Sequence, residues 1–228
     1  MSVLLYAGSG RSSTAAPGRV THHSFSFGEH YDPANLGFGP LVCHNDDDLD
    51  PGAGYPEHPH TELEIVTWVL EGALVHTDTT GARHLLEAGR AQVLSAGSGI
   101  RHSEVADLSS GRCRFVQAWL TPNTSGGVPA YAVGEGPPPT GGLVEVAGGD
   151  GLPIGTTGAR LLVAHLAPGE AVALPDDPRQ HVFAATGSVS LDGIALRAGD
   201  AVRVEGEGGR RVQAEAVASQ VLVWSFAG

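Results

Sequence analysis

The chain of 228 residues is long enough for one large β domain or two smaller ones, and it carries 33 glycines and 15 prolines but only 6% aromatic residues. This composition favours many short strands joined by tight turns over a helical bundle. The formal net charge of −12 comes without any cluster of basic residues, so direct binding to nucleic acid is not expected.

The start of the chain has neither the charged nor the apolar region of a signal peptide, and no apolar run approaches the roughly 20 residues that span a bilayer. Cys43 and Cys113 lie far apart and form no CxxC pattern, which favours reduced thiols. These features together predict a soluble cytoplasmic protein that does not enter a membrane.

The first 50 residues predict short strands and turns. Residues 3–6 favour an opening strand and residues 41–45 favour another. The acidic triplet of residues 46–48 follows the second strand and fits the spacing of no calcium loop, so we expect a solvated loop there.

Two later stretches each hold a pair of potential metal ligands separated by one residue. The pairs are His58 with His60, and His102 with Glu104. Residues two apart point to nearly opposite sides of a helix but share one face of a strand, about 7 Å apart. Strand-forming residues follow the first pair at 65–70 and precede the second at 91–94. One such pair is common in ordinary strands, but two pairs in this setting predict a metal site.

The second half of the chain repeats the first in outline. Residues 86–93 resemble residues 196–203, and residues 69–74 resemble residues 184–189 in the same order, which indicates an internal duplication. We therefore predict domains at 1–133 and 143–228, joined by a linker at 134–142.

The ligand-type residues are not repeated. The positions that correspond to the two pairs are occupied by Ala173, Pro175, Val212 and Ala214. His165 and His181 remain in the second half, where a surface or packing role is expected. The sequence thus predicts one metal site, in the first half.

Several motifs resemble those of the pirin family of bicupins across residues 20–131, and the resemblance is weaker beyond. The motifs lie at residues 31–39, 58–67, 69–72, 76–78, 95–100 and 102–104. The resemblance implies an all-β fold of two cupin, jelly-roll-like β-barrels arranged as a bicupin. It also implies one metal ion in the N-terminal barrel, held by His58, His60, His102 and Glu104.

Glu64 stays open as an alternative, because the general cupin pattern uses the glutamate four residues after the second histidine. The resemblance implies one divalent transition metal ion. Iron is the expected ion, and copper, nickel, cobalt, manganese or zinc are the alternatives, since imidazole suits all of them.

The resemblance further implies quercetin 2,3-dioxygenase activity, in which O2 opens the ring of a flavonol and carbon monoxide is released, with Glu104 as the general base. A flat aromatic substrate needs apolar walls, for which the candidates are Phe25, Phe27, Phe38, Leu41, Trp68 and Val116. The alternative is a non-enzymatic, metal-binding regulator that acts through protein partners.

Overall fold

The computed structural model describes residues 2–136, 142–206 and 208–228. Their regular structure is almost entirely β, and the one helical element among them is a 3₁₀ turn at Gly8–Gly10. No helix in these ranges is long and apolar enough to cross a membrane. The all-β prediction is therefore confirmed.

The first twelve strands are β1 (Ser2–Tyr6), β2 (Ser12–Ala16), β3 (Arg19–His23), β4 (Leu41–Leu49), β5 (Gly54–His60), β6 (Glu64–Glu71), β7 (Ala73–Asp78), β8 (Arg83–Glu87), β9 (Arg90–Ser95), β10 (Ile100–Ala106), β11 (Cys113–Leu120) and β12 (Ala130–Glu135). The others are β13 (Val144–Ala147), β14 (Ala159–Leu166), β15 (Ala171–Ala173), β16 (Arg179–Thr186), β17 (Ser188–Leu191), β18 (Ile194–Arg197), β19 (Ala201–Glu205), β20 (Arg211–Ala214) and β21 (Ser219–Phe226).

The chain forms two compact units. The N-terminal unit consists of Ser12–Glu135 and Leu152–Thr157, and the C-terminal unit of Met1–Arg11, Gly136–Gly151 and Gly158–Gly228. The division predicted from the sequence differs at the start of the chain, because β1 pairs antiparallel with β19 and so belongs to the C-terminal unit. The predicted linker at 134–142 falls largely on residues 137–141, which lie outside the described residues.

The N-terminal unit has two sheets rather than one closed barrel. Seven strands run in the order β12-β9-β6-β11-β4-β3-β2, and four run in the order β5-β10-β7-β8. Apolar side chains from both sheets, among them Val69, Leu74, Leu86 and Phe115, are fully buried in one cluster. This cluster holds the two sheets together, since burial of apolar surface is the main favourable term in folding.

The C-terminal unit repeats this strand order ten strands further along the chain. Its sheets run β1-β19-β16-β21-β14-β13 and β15-β20-β17-β18, around a core rich in valine and leucine. The predicted duplication is thus visible in the topology. The place that β12 takes in the first unit is taken here by β1.

The acidic triplet is not the solvated loop that the sequence suggested. Asp46 and Asp47 are buried within β4, which continues to Leu49 and pairs with β11. Arg114 on β11 donates two hydrogen bonds of 2.9 Å to Asp46, and Arg112 forms an ion pair with Asp48. The prediction was wrong because arginines on a neighbouring strand replace water around two of these carboxylates.

Candidate metal centre

Strand β5 presents the first ligand pair at the edge of the four-stranded sheet. Pro56 and Pro59 are tolerated there because an edge strand has backbone N–H positions that need no partner. His58 and His60 lie on the same face of β5, as the spacing predicted. On the adjacent strand, β10, His102 lies directly opposite His58.

Three imidazoles therefore converge on one point. The ring centroids of His58, His60 and His102 are 4.5 to 5.1 Å apart, and one ring nitrogen from each lies within 4.8 Å of the others. The Nδ1 of His58 donates a hydrogen bond of 2.8 Å to the carbonyl oxygen of Pro56. This bond leaves the lone pair on Nε2 of His58 free for a ligand, as in many metal-binding histidines.

The nitrogen atoms at this point lack other partners. Within the part of the chain that the structure describes, neither ring nitrogen of His102 nor the Nε2 of His60 has a hydrogen-bond partner, although all three are buried. Buried polar atoms without partners are rare. Unpaired imidazole nitrogens that face one another fit a transition metal ion.

The electrostatics of the imidazoles agree with this fit. Burial, with repulsion from neighbouring histidines, lowers the pKa of His60 to about 4 and that of His102 to about 3. Both rings are thus neutral at neutral pH, which is the form that binds a metal.

Glu104 lies in a second, overlapping group. The register between β10 and β5 shifts between His102 and Glu104, so Glu104 stands opposite Tyr55. Its carboxylate is buried and lies within 4.8 Å of ligand atoms of His102 and His76. The structure therefore brings His58, His60 and His102 into one group and joins Glu104 to it through His102.

His76 belongs to this second group and lies outside the two ligand pairs found in the sequence. It is fully buried on β7, stacks on the ring of Tyr131 at 4.3 Å, and donates from Nε2 to Asp78 at 3.0 Å. His76 and Asp78 are again two residues apart on a strand. The signal that identified the other pairs could therefore have found this one.

Glu64, the alternative ligand, lies elsewhere in the N-terminal unit. It begins β6 in the seven-stranded sheet, accepts a hydrogen bond of 2.6 Å from Ser95, and belongs to neither group of potential ligands. A residue with positive φ, Glu62, separates β5 from β6. β5 and β6 belong to different sheets, so Glu64 does not join His58 and His60, although even spacing along one strand would have placed the three side chains on one face.

The candidates for an apolar wall are mostly core residues. Four of them are buried: Phe25, Leu41, Trp68 and Val116. Phe27 is half-buried and meets Trp119 edge-on at 5.4 Å, and Trp119 meets His60 edge-on at 5.0 Å. Trp119, which is not among the candidates from the sequence, therefore borders the imidazole of His60.

The equivalent strands of the C-terminal unit carry no such side chains. Strand β15 reads Ala-Val-Ala and β20 reads Arg-Val-Gln-Ala. Both groups of three potential ligands found among the described residues lie in the N-terminal unit.

Comparison with known proteins agrees with this description. The family profile described as Pirin matches residues 9–120. A protein of Mycobacterium bovis named "Putative quercetin 2,3-dioxygenase" is 40% identical over 95% of this chain and 91% of its own length. A protein of Escherichia coli named "Quercetin 2,3-dioxygenase" is 44% identical over 48% of this chain and 47% of its own.

Among solved structures, the bacterial pirin YhhW of Escherichia coli in complex with nickel(II) superposes with a TM-score of 0.89 at 27% identity, with all of both chains covered. The bicupin expectation is thereby confirmed, with each cupin-like unit built as a pair of sheets. The chain belongs to the pirin family.

Proposed function

We propose that this protein is a metal-dependent dioxygenase of the quercetin 2,3-dioxygenase type. Its metal ion would be held by His58, His60, His102 and Glu104, and its substrates would be a flavonol and O2. Iron is the ion we expect, and nickel is the ion found with the related Escherichia coli pirin. The relatives named for this activity support the reaction type.

The observation that carries the proposal is the pair of overlapping groups. Three buried or half-buried imidazoles face one another with unpaired nitrogens, and a buried carboxylate adjoins them through His102. Three neutral nitrogens and one anionic oxygen form a donor set suited to a divalent transition metal with open coordination positions.

The bound metal would supply a Lewis acid that lowers the pKa of the flavonol 3-hydroxyl. Glu104 would accept the proton from that hydroxyl, since its carboxylate adjoins the imidazoles and is shielded from bulk water. Trp119 and Phe27 would provide an aromatic wall beside His60.

The test is turnover of quercetin by protein loaded separately with iron, copper, nickel, cobalt and manganese, followed by loss of flavonol absorbance and release of carbon monoxide. We expect turnover with at least one ion, and its loss in His58→Ala and Glu104→Gln. His165→Ala is the matched control, because His165 lies in the C-terminal unit and bonds to Gln220. Turnover that survives His58→Ala would contradict the proposal.

No turnover with any of the five ions would favour the alternative, a metal-dependent regulator. In that case, the proteins captured by the iron-loaded chain should change when the iron is oxidised. An unchanged set of captured proteins would argue against the regulator as well.

A further inference from the structure

We propose that Gln92 and Gln117 form a clamp that orients Glu104 toward the metal ion, and that Tyr131 and Trp119 set the direction of the two clamping amides. The inference rests on the proposed ligand role of Glu104. It adds four positioning residues, all from the seven-stranded sheet, to ligands that come from the four-stranded sheet.

The two amides each donate a hydrogen bond to a different oxygen of the Glu104 carboxylate. Gln92 donates from Nε2 to Oε1 of Glu104 at 2.5 Å, and Gln117 donates from Nε2 to Oε2 of Glu104 at 2.7 Å. Each Nε2 also donates to the hydroxyl oxygen of Thr67, at 3.2 and 3.1 Å. Both hydrogens of each amide nitrogen are therefore used, and the carboxylate is fixed from two sides.

The direction of the Gln117 amide is set independently of Glu104. The indole Nε1 of Trp119 donates to Oε1 of Gln117 at 2.9 Å. An indole N–H can only donate, so the carbonyl oxygen of Gln117 must face Trp119 and its NH2 group must face Glu104. On the other side, the hydroxyl of Tyr131 donates to Oε1 of Gln92 at 2.9 Å and favours the same orientation.

The clamp leaves Glu104 able to bind a metal. A carboxylate offers about four lone-pair sites, and the two amides use one on each oxygen. The lone pairs that remain suffice for one bond to the ion and one to a substrate proton.

The test uses metal-free protein titrated with cobalt(II) against a chromophoric chelator, together with the visible spectrum of the bound cobalt. Gln92→Met and Gln117→Met keep the side-chain length but remove the amide. Each should weaken cobalt binding about tenfold or more, the usual cost of losing a group that orients a ligand, and each should shift the cobalt bands. Tyr131→Phe, which removes one oxygen atom, should weaken cobalt binding and shift the cobalt bands in the same direction, but by a smaller amount.

A double-mutant cycle separates an effect through Gln92 from a general loss of packing. If Tyr131 acts through Gln92, the double variant should bind cobalt as Gln92→Met does. An equal loss from Tyr131→Phe in both backgrounds would mean that the hydroxyl of Tyr131 acts by a route other than Gln92. The matched control is Gln180→Met, a buried strand glutamine of the C-terminal unit that bonds the Pro175 carbonyl, and it should leave the cobalt spectrum unchanged.

Glu104→Gln distinguishes failure of the clamp from failure of the ligand assignment. If this variant keeps wild-type affinity and bands, Glu104 is not a ligand and the proposed centre fails. If Glu104→Gln changes the bands while both Gln→Met variants match the wild type, only the clamp is refuted.

Discussion

Asp47 is expected to make the folded protein less stable as the pH rises from about 4 to about 7. Burial raises the pKa of its carboxyl from the usual 3.8 to about 7, against hydrogen bonds from Thr21 and Tyr55 that lower it. The folded chain thus binds this proton more tightly than the unfolded chain. Protonation of Asp47 therefore favours folding, and this contribution is complete below pH 3.8 and lost as the pH passes 7.

The size of the effect follows from the same difference. A tenfold change in proton affinity corresponds to about 1.4 kcal/mol. The rise of the Asp47 pKa from 3.8 to about 7 therefore corresponds to about 4 kcal/mol of unfolding free energy. Of this, about 2.7 kcal/mol falls between pH 5 and pH 8. Asp47→Asn should remove the dependence, because its amide oxygen can still accept the bonds of 2.6 Å from Thr21 and 2.5 Å from Tyr55.

The assay is denaturant unfolding of metal-free protein at pH 5 and pH 8, with equal slopes required for the comparison. Between these pH values, the free energy of unfolding of the wild type should fall by about 2 to 3 kcal/mol more than that of Asp47→Asn. Asp50→Asn changes an exposed carboxylate three residues along the chain in the same way. Its free energy of unfolding should depend on pH as that of the wild type does. Parallel pH profiles for wild type and Asp47→Asn would refute the reasoning.

Three further predictions concern the metal, the substrate and the chain terminus. Removal of the metal by a chelator should lower the melting temperature by only a few degrees, because both units have apolar cores that do not include the ligands; loss of the folded state in far-UV circular dichroism would contradict this. Phe27→Leu should raise the KM for quercetin about 2- to 10-fold, since an aromatic contact is worth about 0.5–1.5 kcal/mol, and should leave cobalt affinity unchanged. An unchanged KM would mean that Phe27 is not part of the proposed wall. Deletion of residues 1–11 should cause aggregation, measured by light scattering, because β19 becomes an exposed edge, and a monodisperse product would count against this.

Local spacing was enough to predict that His58 and His60 share one face of a strand. The prediction depends only on the alternation of side chains along a strand and on the turns beside it. The repeated turn and strand pattern likewise predicted two similar units. These features depend on residues close together in the sequence.

The remaining features depend on which strands are neighbours. Gln92, Gln117 and Trp119 read as ordinary polar or half-buried strand positions, and only the opposed sheets bring them to Glu104 and His60. Glu64 lies four residues after His60, a spacing that would place both on one face of a single strand, but it belongs to β6 of the seven-stranded sheet. The acidic triplet looked solvated because the arginines that neutralise Asp46 and Asp48 come from β11, more than sixty residues away.

The pairing of β1 with β19 has a consequence for biosynthesis. Ser2 lies opposite Glu205, so β1 stays without its partner strand until the residues between the two strands and β19 itself have been synthesised. During that interval the backbone N–H and C=O groups of β1 that pair with β19 have no partner strand. A break between the two units would leave β1 on the amino-terminal fragment, so the carboxy-terminal fragment would lack the strand that covers the edge of β19.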